Sequence, residues 1–330
     1  MTNTAMLAIG INPGFGNTKI VVNNGAGDEK SIVFPSIVAK AQRQVPGALE
    51  QIQTIQIKDE SFWVGEDALI GSPRSEINKA RLKDDYFIPA LVRAGLEWLE
   101  VPREPSVAVS GLPASWADEL DTATRLGELL RIAAAHTFSG SKIRIVSEPL
   151  GVLYSQVLDA RGARVRPELA KSRVLIVDIG HYTVNAVVVN NLRPEPAMSF
   201  SLDLGTSTVL ARIGQLLFAS YEMDLTLFQI DQAVRNKGLL VSGEFLPLPP
   251  KAELVLADAG MKIVAKLTEL LRGGGAIEKV LIGGGGAEME SLAQPIVDKY
   301  RQAIVVPNPQ LSVATGFARL ARYSINKGGQ

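Results

Sequence analysis

Apolar residues along the chain fall into two patterns: short unbroken runs rich in Val and Ile, and longer stretches with apolar positions three and four apart. The first pattern predicts strands and the second helices. Residues 7–22 predict a hairpin, two strands around the turn Asn12-Pro13-Gly14-Phe15-Gly16-Asn17. Residues 31–38 predict a further strand, which Phe34-Pro35-Ser36 marks as an edge or an end. Alternation around Ile52, Ile55 and Ile57 predicts exposed strands of a small subdomain, then a short helix over 63–68 and a charged loop over 71–85. A helix is expected over 89–100 with Pro89 in its first turn, and a buried strand over 107–113. One long helical segment is expected over 114–137, with Leu120, Leu126, Leu129, Leu130 and Ile132 on its apolar face and His136 at its C-terminal end. Residues 143–146 predict a strand that runs through Ser147-Glu148-Pro149 into a helix carrying Leu150, Leu153, Tyr154, Val157 and Leu158.

Residues 161–172 carry Arg161, Arg164, Arg166 and Lys171 without apolar periodicity and read as a polar connection. Beyond them the opening pattern returns. Residues 174–189 read strand, glycine turn, strand, with Asp178 where Asn12 stands and Gly180 where Gly14 stands. Thr183 falls where Thr18 stands if one residue is deleted, and each hairpin finishes near an Asn-Asn pair, Asn23-Asn24 and Asn190-Asn191. This internal repeat predicts two similar α/β halves. Downstream, the pattern predicts a strand over 199–204, a helix after Gly205-Thr206-Ser207, and a helix over 225–236 closed by Gly238. An extended linker over 245–250 and a long helix over 251–271 ended by Gly273, Gly274 and Gly275 follow. Residues 279–282 predict a buried strand ending in Gly283-Gly284-Gly285-Gly286. A helix over 287–298, a strand over 303–306 and a final helix from Ser312 to about Tyr323 complete the reading.

Composition narrows the function classes. With 330 residues the chain is long enough for two cores. Lys+Arg and Asp+Glu both number 34, so nothing suggests an electrostatic grip on nucleic acid over the whole surface. The absence of cysteine excludes disulfides and thiolate metal sites, and two histidines exclude a histidine-rich metal centre. No apolar run has the length of a membrane-spanning helix, and the first residues lack a basic signal-peptide region, so a cytoplasmic protein is expected.

Candidate chemistry lies in the glycine turns. Gly14 and Gly16 permit a sharp turn that presents backbone N–H groups, and such an array attracts phosphate oxygens, with Lys19 as a nearby cation. The spacing is not that of a P-loop. An ordinary hairpin with a solvated lysine explains the stretch equally well when it is read alone. Four glycines at a strand end cost backbone entropy, and they read either as a flat surface for a nucleotide or as a flexible turn.

Taken in order, these features resemble the superfamily of actins, heat-shock chaperone ATPases and sugar kinases, and within it the actin-like ParM group. The resemblance is carried by Gly16-Asn17-Thr18-Lys19, Phe34-Pro35-Ser36, Val64-Gly65-Glu66-Asp67-Ala68, Ser110-Gly111-Leu112-Pro113, Glu148-Pro149 and Asn308-Pro309 with Ala314 and Gly316. It runs from residue 7 to about 320. It implies an α/β actin-like fold, with two similar lobes around a central nucleotide cleft and a small inserted subdomain in each. The first lobe would be 1–165 with its subdomain at 36–75. The second would be 166–330 with its subdomain at 206–260, and the helix at 312–323 would return to the first lobe.

The resemblance implies ATP or GTP bound with Mg²⁺, hydrolysis, and head-to-tail filaments that segregate plasmid or other DNA through an adaptor. Direct contact with nucleic acid or membrane is not expected. Asn12, Gly14, Phe15, Gly16, Asn17, Thr18 and Lys19 would bind the β/γ-phosphates, chiefly through the Phe15, Gly16 and Asn17 amides and Lys19. Gly180, His181 and Tyr182 through their amides, and Thr183 through its hydroxyl, would form the opposite jaw. Gly283, Gly284, Gly285 and Gly286 would face the adenosine. Asp178, with Asn12, would hold Mg²⁺ through water, and Glu148 would orient or deprotonate the attacking water. Glu148 also reads as a carboxylate stabilised by its helix N-terminus. Two positions depart from the pattern, Asn12 and Asn185, where the family has Asp. Slower hydrolysis or altered metal dependence is expected from them. The alternatives are a sugar-type kinase on the same fold and a nucleotide-sensing scaffold that does not polymerise.

Overall fold

The computed structural model describes residues 6–44, 50–75, 78–117, 119–134, 142–272 and 276–328. The chain divides into two compact units, Met1–Pro167 with Val313–Gln330, and Glu168–Ser312. His136, expected at a helix C-terminus, and Gly273, Gly274 and Gly275, expected to end a helix, lie outside the described residues.

The first unit is built on a five-stranded sheet. Its strands are β1 (Leu7–Pro13), β2 (Asn17–Asn23), β3 (Glu29–Pro35), β7 (Ser106–Leu112) and β8 (Lys142–Ser147), in the order β3-β2-β1-β7-β8. Strand β1 is buried at every position, which explains its unbroken apolar run: both of its faces are covered. It pairs antiparallel with β2 and parallel with β7. Helices α1 (Phe87–Trp98) and α3 (Leu120–Ala134) supply one core with Ile9, Ile11, Ile20 and Phe34. A second, three-stranded sheet contains β4 (Val38–Lys40), β5 (Ile55–Ile57) and β6 (Glu60–Val64) in the order β4-β6-β5. Helices α2 (Ala114–Ala117) and α4 (Glu148–Val157) and the terminal α10 (Ser312–Gly328) complete the unit's helices.

The second unit repeats this plan. It begins with the short α5 (Pro167–Lys171) and holds β9 (Arg173–Ile179), β10 (Val184–Asn190), β11 (Arg193–Leu202), β14 (Lys279–Gly283) and β15 (Ala303–Val305). Their order, β11-β10-β9-β14-β15, matches the first sheet strand for strand, with the same two antiparallel and two parallel pairings. Helices α6 (Thr206–Tyr221), α7 (Leu227–Arg235), α8 (Lys251–Leu270) and α9 (Glu290–Lys299) pack on it, with a small hairpin of β12 (Gly238–Val241) and β13 (Glu244–Pro247).

Several expectations need correction. Ile55 and Ile57 are fully buried, so the small sheet is not an exposed one; it packs against α1. Trp63 and Val64 belong to β6, and only Gly65–Ile70 turns helically. The segment 114–137 is not one helix: α2 stops at Ala117, and Leu120 at the start of α3 is 79% exposed. Residues 245–250 are not a linker, because β13 pairs with β12, and Gly238 opens that strand rather than closing a helix. Strand β11 begins at Arg193, six residues early, since its first half is exposed and polar and carries no alternation signal. Among the described residues no helix is long and apolar enough to cross a membrane.

Candidate functional site

Both hairpin turns leave the carboxyl end of a central strand, the position where open α/β sheets offer ligands their backbone. In the first, Pro13 pairs with Thr18 and Asn12 with Lys19, leaving residues 14–17 as the turn. In the second, Ile179 pairs with Val184 and Asp178 with Asn185, leaving residues 180–183. The two turns are therefore equal in length and related by a constant offset of 166 residues. No deletion separates them. The sequence alignment is corrected accordingly: Thr183 corresponds to Asn17, and Asn185 to Lys19.

Two side chains and one backbone amide fix turn one. The Pro13 carbonyl accepts from Arg81 Nη2 at 2.5 Å, and the Gly14 carbonyl accepts from Ser36 Oγ at 2.7 Å. The Gly16 carbonyl accepts from Ser36 N at 2.9 Å. Ser36 Oγ also lies 2.9 Å from Thr18 Oγ1, in a buried pair. In a trans peptide the C=O and N–H point opposite ways, so the N–H groups of Gly14, Phe15 and Asn17 face away from the atoms that hold those carbonyls. Gly14 is required here: a Cβ would lie 2.7 Å from the Asn17 carbonyl oxygen. Asn12 is 5% exposed, buried at the foot of the turn.

Backbone groups fix turn two. The carbonyls of Gly180, His181 and Tyr182 accept from the N–H groups of Thr206 (3.0 Å), Ser207 (2.8 Å) and Gly205 (3.0 Å) respectively. These donors belong to the N-terminal end of α6, whose first amides have no partner inside the helix. The N–H groups of His181, Tyr182 and Thr183 then face the other way. Gly180 departs from expectation, because its own N–H is spent on the Thr183 carbonyl at 2.9 Å and belongs to the hairpin. A Cβ at Gly205 would overlap the His181 carbonyl and the Tyr182 backbone, so only glycine admits this contact. Asn185 donates Nδ2 to Thr183 Oγ1 at 3.1 Å and accepts from Ser201 Oγ at 2.7 Å. That bond orients the Thr183 hydroxyl so that its own proton points elsewhere. His181 Nδ1 lies 3.2 Å from Thr206 Oγ1.

The other predicted residues join these turns within their own units. In the second, Gly284 has φ +83° and no room for a Cβ, which would strike Asp178 Oδ1 and the Ile179 carbonyl. Its N–H donates to the Pro309 carbonyl at 2.9 Å, which gives Asn308-Pro309 a definite task. A Cβ at Gly286 would overlap the Ile179 and Thr206 side chains. Packing thus demands two of the four glycines, a reason that neither the nucleotide surface nor the flexible turn includes. Gly285 is different: a Cβ there meets only ordinary contacts with Gln310 and Arg235. The helix expected at Ala287 starts only at Glu290, after a tight turn over Gly285–Glu288, so its N-terminus is not at the glycines. Arg235 reaches this turn, pairing with Asp231 at 2.8 Å and with Glu288.

In the first unit Glu148 opens α4 at the carboxyl end of β8, beside Gly111, whose Cβ would lie 3.1 Å from Glu148 Cγ. Pro13, Phe15, Arg81, Gly111, Trp116 and Glu148 border a recess of about 20 Å³. That volume admits roughly one water molecule. Phe15 meets Trp116 edge-on with 5.8 Å between ring centres.

Among the described residues no three Asp, Glu or His side chains cluster tightly enough to cage a metal. Sequence reading missed Arg81, hidden in an apparent charged loop, and the structural task of Ser36. It read Gly205-Thr206-Ser207 as a helix cap only. The signal for Arg81 is slight: Asn78 caps a short turn by accepting from Ala80 N, and the apolar Leu82 sits within it.

The fold is that of the actins. Over 97% of this chain and 100% of the other, it matches the crystal structure of the archaeal actin homologue Ta0583 with a TM-score of 0.73 at 17% identity. A structure of that homologue in complex with ADP matches at 0.71. The ParM of a 15-stranded filament from Clostridium botulinum matches at 0.71 and 18% identity over 96% of this chain and 99% of its own. The MamK of a double helical filament matches at 0.70 and 17% over 96% and 98%. Among curated protein sequences none matches. Residues 10–151 match the N-terminal domain of actin-like proteins, and residues 176–294 the C-terminal domain of the MreB-like archaeal actin homologues. By these two domains the chain belongs to the actin-like proteins, and ParM, MamK and the archaeal homologue share its fold.

Proposed function

We propose that this chain binds ATP or GTP with Mg²⁺, polymerises head-to-tail, hydrolyses the nucleotide, and segregates plasmid or other DNA through an adaptor protein. The reading is carried by the two turns, each with three carbonyls tied to protein donors so that a row of amides faces the other way, an arrangement suited to phosphate oxygens. Lys19 neutralises charge on the β/γ-phosphates, and the amides of turn one bind them. The His181, Tyr182 and Thr183 amides and the Thr183 hydroxyl bind phosphate from turn two. Asp178 would hold Mg²⁺, which would supply charge neutralisation for phosphoryl transfer. Glu148, bordering a recess of about one water, orients that water and accepts its proton. Gly285, where a Cβ would meet only ordinary contacts with Gln310 and Arg235, is the member of the glycine run we assign to the adenosine or guanosine.

A head-to-tail self-contact that does not close generates a filament by symmetry alone. ADP in one archaeal relative and filaments in ParM and MamK support the same reading. Light scattering and sedimentation with and without Mg²⁺-nucleotide test it: sedimentable polymer appears only with nucleotide. Phosphorylation of a sugar without polymer would replace the proposal with the kinase reading. Tight binding with neither polymer nor phosphate release would leave a nucleotide-sensing scaffold. Glu148→Ala is expected to assemble normally and release phosphate slowly.

A further inference from the structure

Arg81 is 4% exposed, and a buried guanidinium is expensive unless it has definite work. Its Nη2 donates to the Pro13 carbonyl at 2.5 Å. Its charge lies over the Phe15 ring at 4.8 Å and the Phe87 ring at 5.6 Å. Residues on either side of it are fixed independently. Asn78 caps the short turn over Lys79–Lys83, and Arg125 Nε donates to the Leu82 carbonyl at 2.8 Å. Asp84 Oδ1 accepts from the N–H groups of Tyr86 (2.7 Å) and Phe87 (3.1 Å) at the start of α1.

We propose that Arg81 is a positioning residue for triphosphate binding: it sets the Pro13–Gly14 peptide and the Phe15 ring so that turn one presents its amides to the β/γ-phosphates. A glycine-flanked turn is intrinsically loose, and an amide array binds an anion well only if its order is established before binding. Ser36 holds the Gly14 and Gly16 carbonyls, but the first peptide of the turn is held by Arg81. A planar guanidinium can donate in its plane to a carbonyl while its faces lie against aromatic rings, which a lysine ammonium cannot do. Removal of Arg81 therefore releases the Pro13 carbonyl and takes away one of the contacts that hold the Phe15 ring, Trp116 remaining. The inference rests on the nucleotide reading for its ligand, though not for its effect on the turn.

The experiment has two arms on the full chain, with Arg81→Met and Arg81→Lys compared with the wild type. In the first arm, amide hydrogen exchange is followed without nucleotide. Exchange at residues 14–17 is expected to accelerate roughly tenfold in Arg81→Met, while residues 180–183 keep their wild-type rates. Wild-type exchange at 14–17 in Arg81→Met overturns the proposal, whether or not the protein binds nucleotide. In the second arm, affinities for ATP, ADP and AMP are measured with Mg²⁺. ATP and ADP are expected to weaken roughly tenfold and AMP to stay within about twofold, because AMP lacks the phosphates in question. Equal weakening of all three marks Arg81 as merely structural and also overturns the proposal. Failure of the wild type itself to bind nucleotide sinks the functional reading instead, and the exchange arm still decides Arg81. If Arg81→Met does not fold, Arg81→Lys carries both arms, with smaller changes in the same direction.

Discussion

Turn one and turn two have equal lengths and the same place at the end of a central strand, yet they are held by different means. The side chains of Ser36 and Arg81, with the Ser36 amide, hold turn one from outside the hairpin; the first amides of α6 hold turn two. The register position opposite the buried polar residue of β1 or β9 carries Lys19 in one and Asn185 in the other. In the first case it is a cation, and in the second a neutral amide knitted to Thr183 and Ser201. One architecture thus yields a turn with a cation at its foot and mostly side-chain supports, and a turn with a carboxylate at its foot supported by main chain. Side-chain substitution should loosen the first readily. The second should yield only to changes that move backbone.

Substitutions that break this contrast can be ranked. The largest effect is expected from Gly205→Val, whose new atoms collide with the backbone of His181 and Tyr182 and detach α6 from turn two. A cost of about 3 kcal/mol or more follows from forced overpacking, with a fall in melting temperature of roughly 6 °C or more. A melting temperature within about 2 °C of wild type would show that turn two is not held in this way. Next comes Lys19→Ala, which should weaken nucleotide binding by about tenfold to a hundredfold, the range of one charge-assisted hydrogen bond, at little cost in stability. Its register counterpart, Asn185→Ala, should do the reverse, lowering stability by about 1–2 kcal/mol through the unpaired Ser201 and Thr183 hydroxyls. Calorimetric titration beside thermal melting separates the two.

Ser36→Ala should cost about 1–2 kcal/mol, since the Gly14 carbonyl and the Thr18 hydroxyl lose a buried partner. Thr206→Ala, by contrast, should leave amide exchange at 180–183 unchanged, because its N–H and not its side chain holds the Gly180 carbonyl. Asn12→Asp restores a negative charge at the foot of turn one and should raise turnover and lower the Mg²⁺ needed, by a factor of about two to ten. Unchanged turnover and metal requirement would remove Asn12 from the metal's surroundings.

The smallest expected effect concerns pH. Hydrogen bonds from Lys58 and then Arg125 hold the Asp85 carboxyl below its ordinary value of 3.8. A depressed folded value contributes stability that is complete above the unfolded value, near pH 4, and disappears as pH falls through the folded one. Asp85→Asn should therefore narrow its stability gap to wild type as pH drops below about 4. The gap itself should be small, because the cluster is half-exposed and screened by solvent.

The contrast between the turns also marks where sequence reading works. Strands β1 and β9 were legible because burial on both faces leaves an unbroken apolar run. The glycines were legible because turns and close approaches require them. The short strands β12 and β13 were not, since Leu240 and Phe245 are exposed and no core imposes a period on them. Within the candidate site, Asn12, Lys19, Asp178 and Glu148 stand out by residue type and order. Arg81 does not, because its burial depends on contacts with Pro13, 68 residues away in sequence. The supports of turn two were invisible for another reason: backbone amides leave no trace in residue identity, apart from the glycine at 205.

Helix α6 joins two distant parts of its unit. At one end its amides grip the carbonyls of residues 180–182, and at the other Tyr221 donates its hydroxyl to the Pro247 carbonyl at 2.6 Å. Sixteen residues of helix make a rod about 24 Å long. A rod clasped at both ends transmits push and tilt without needing to bend. A shift of the second turn would then be expected to reach the small hairpin that displays Leu240 and Phe245 to solvent, and amide exchange at 244–247 in Gly205→Val would read it.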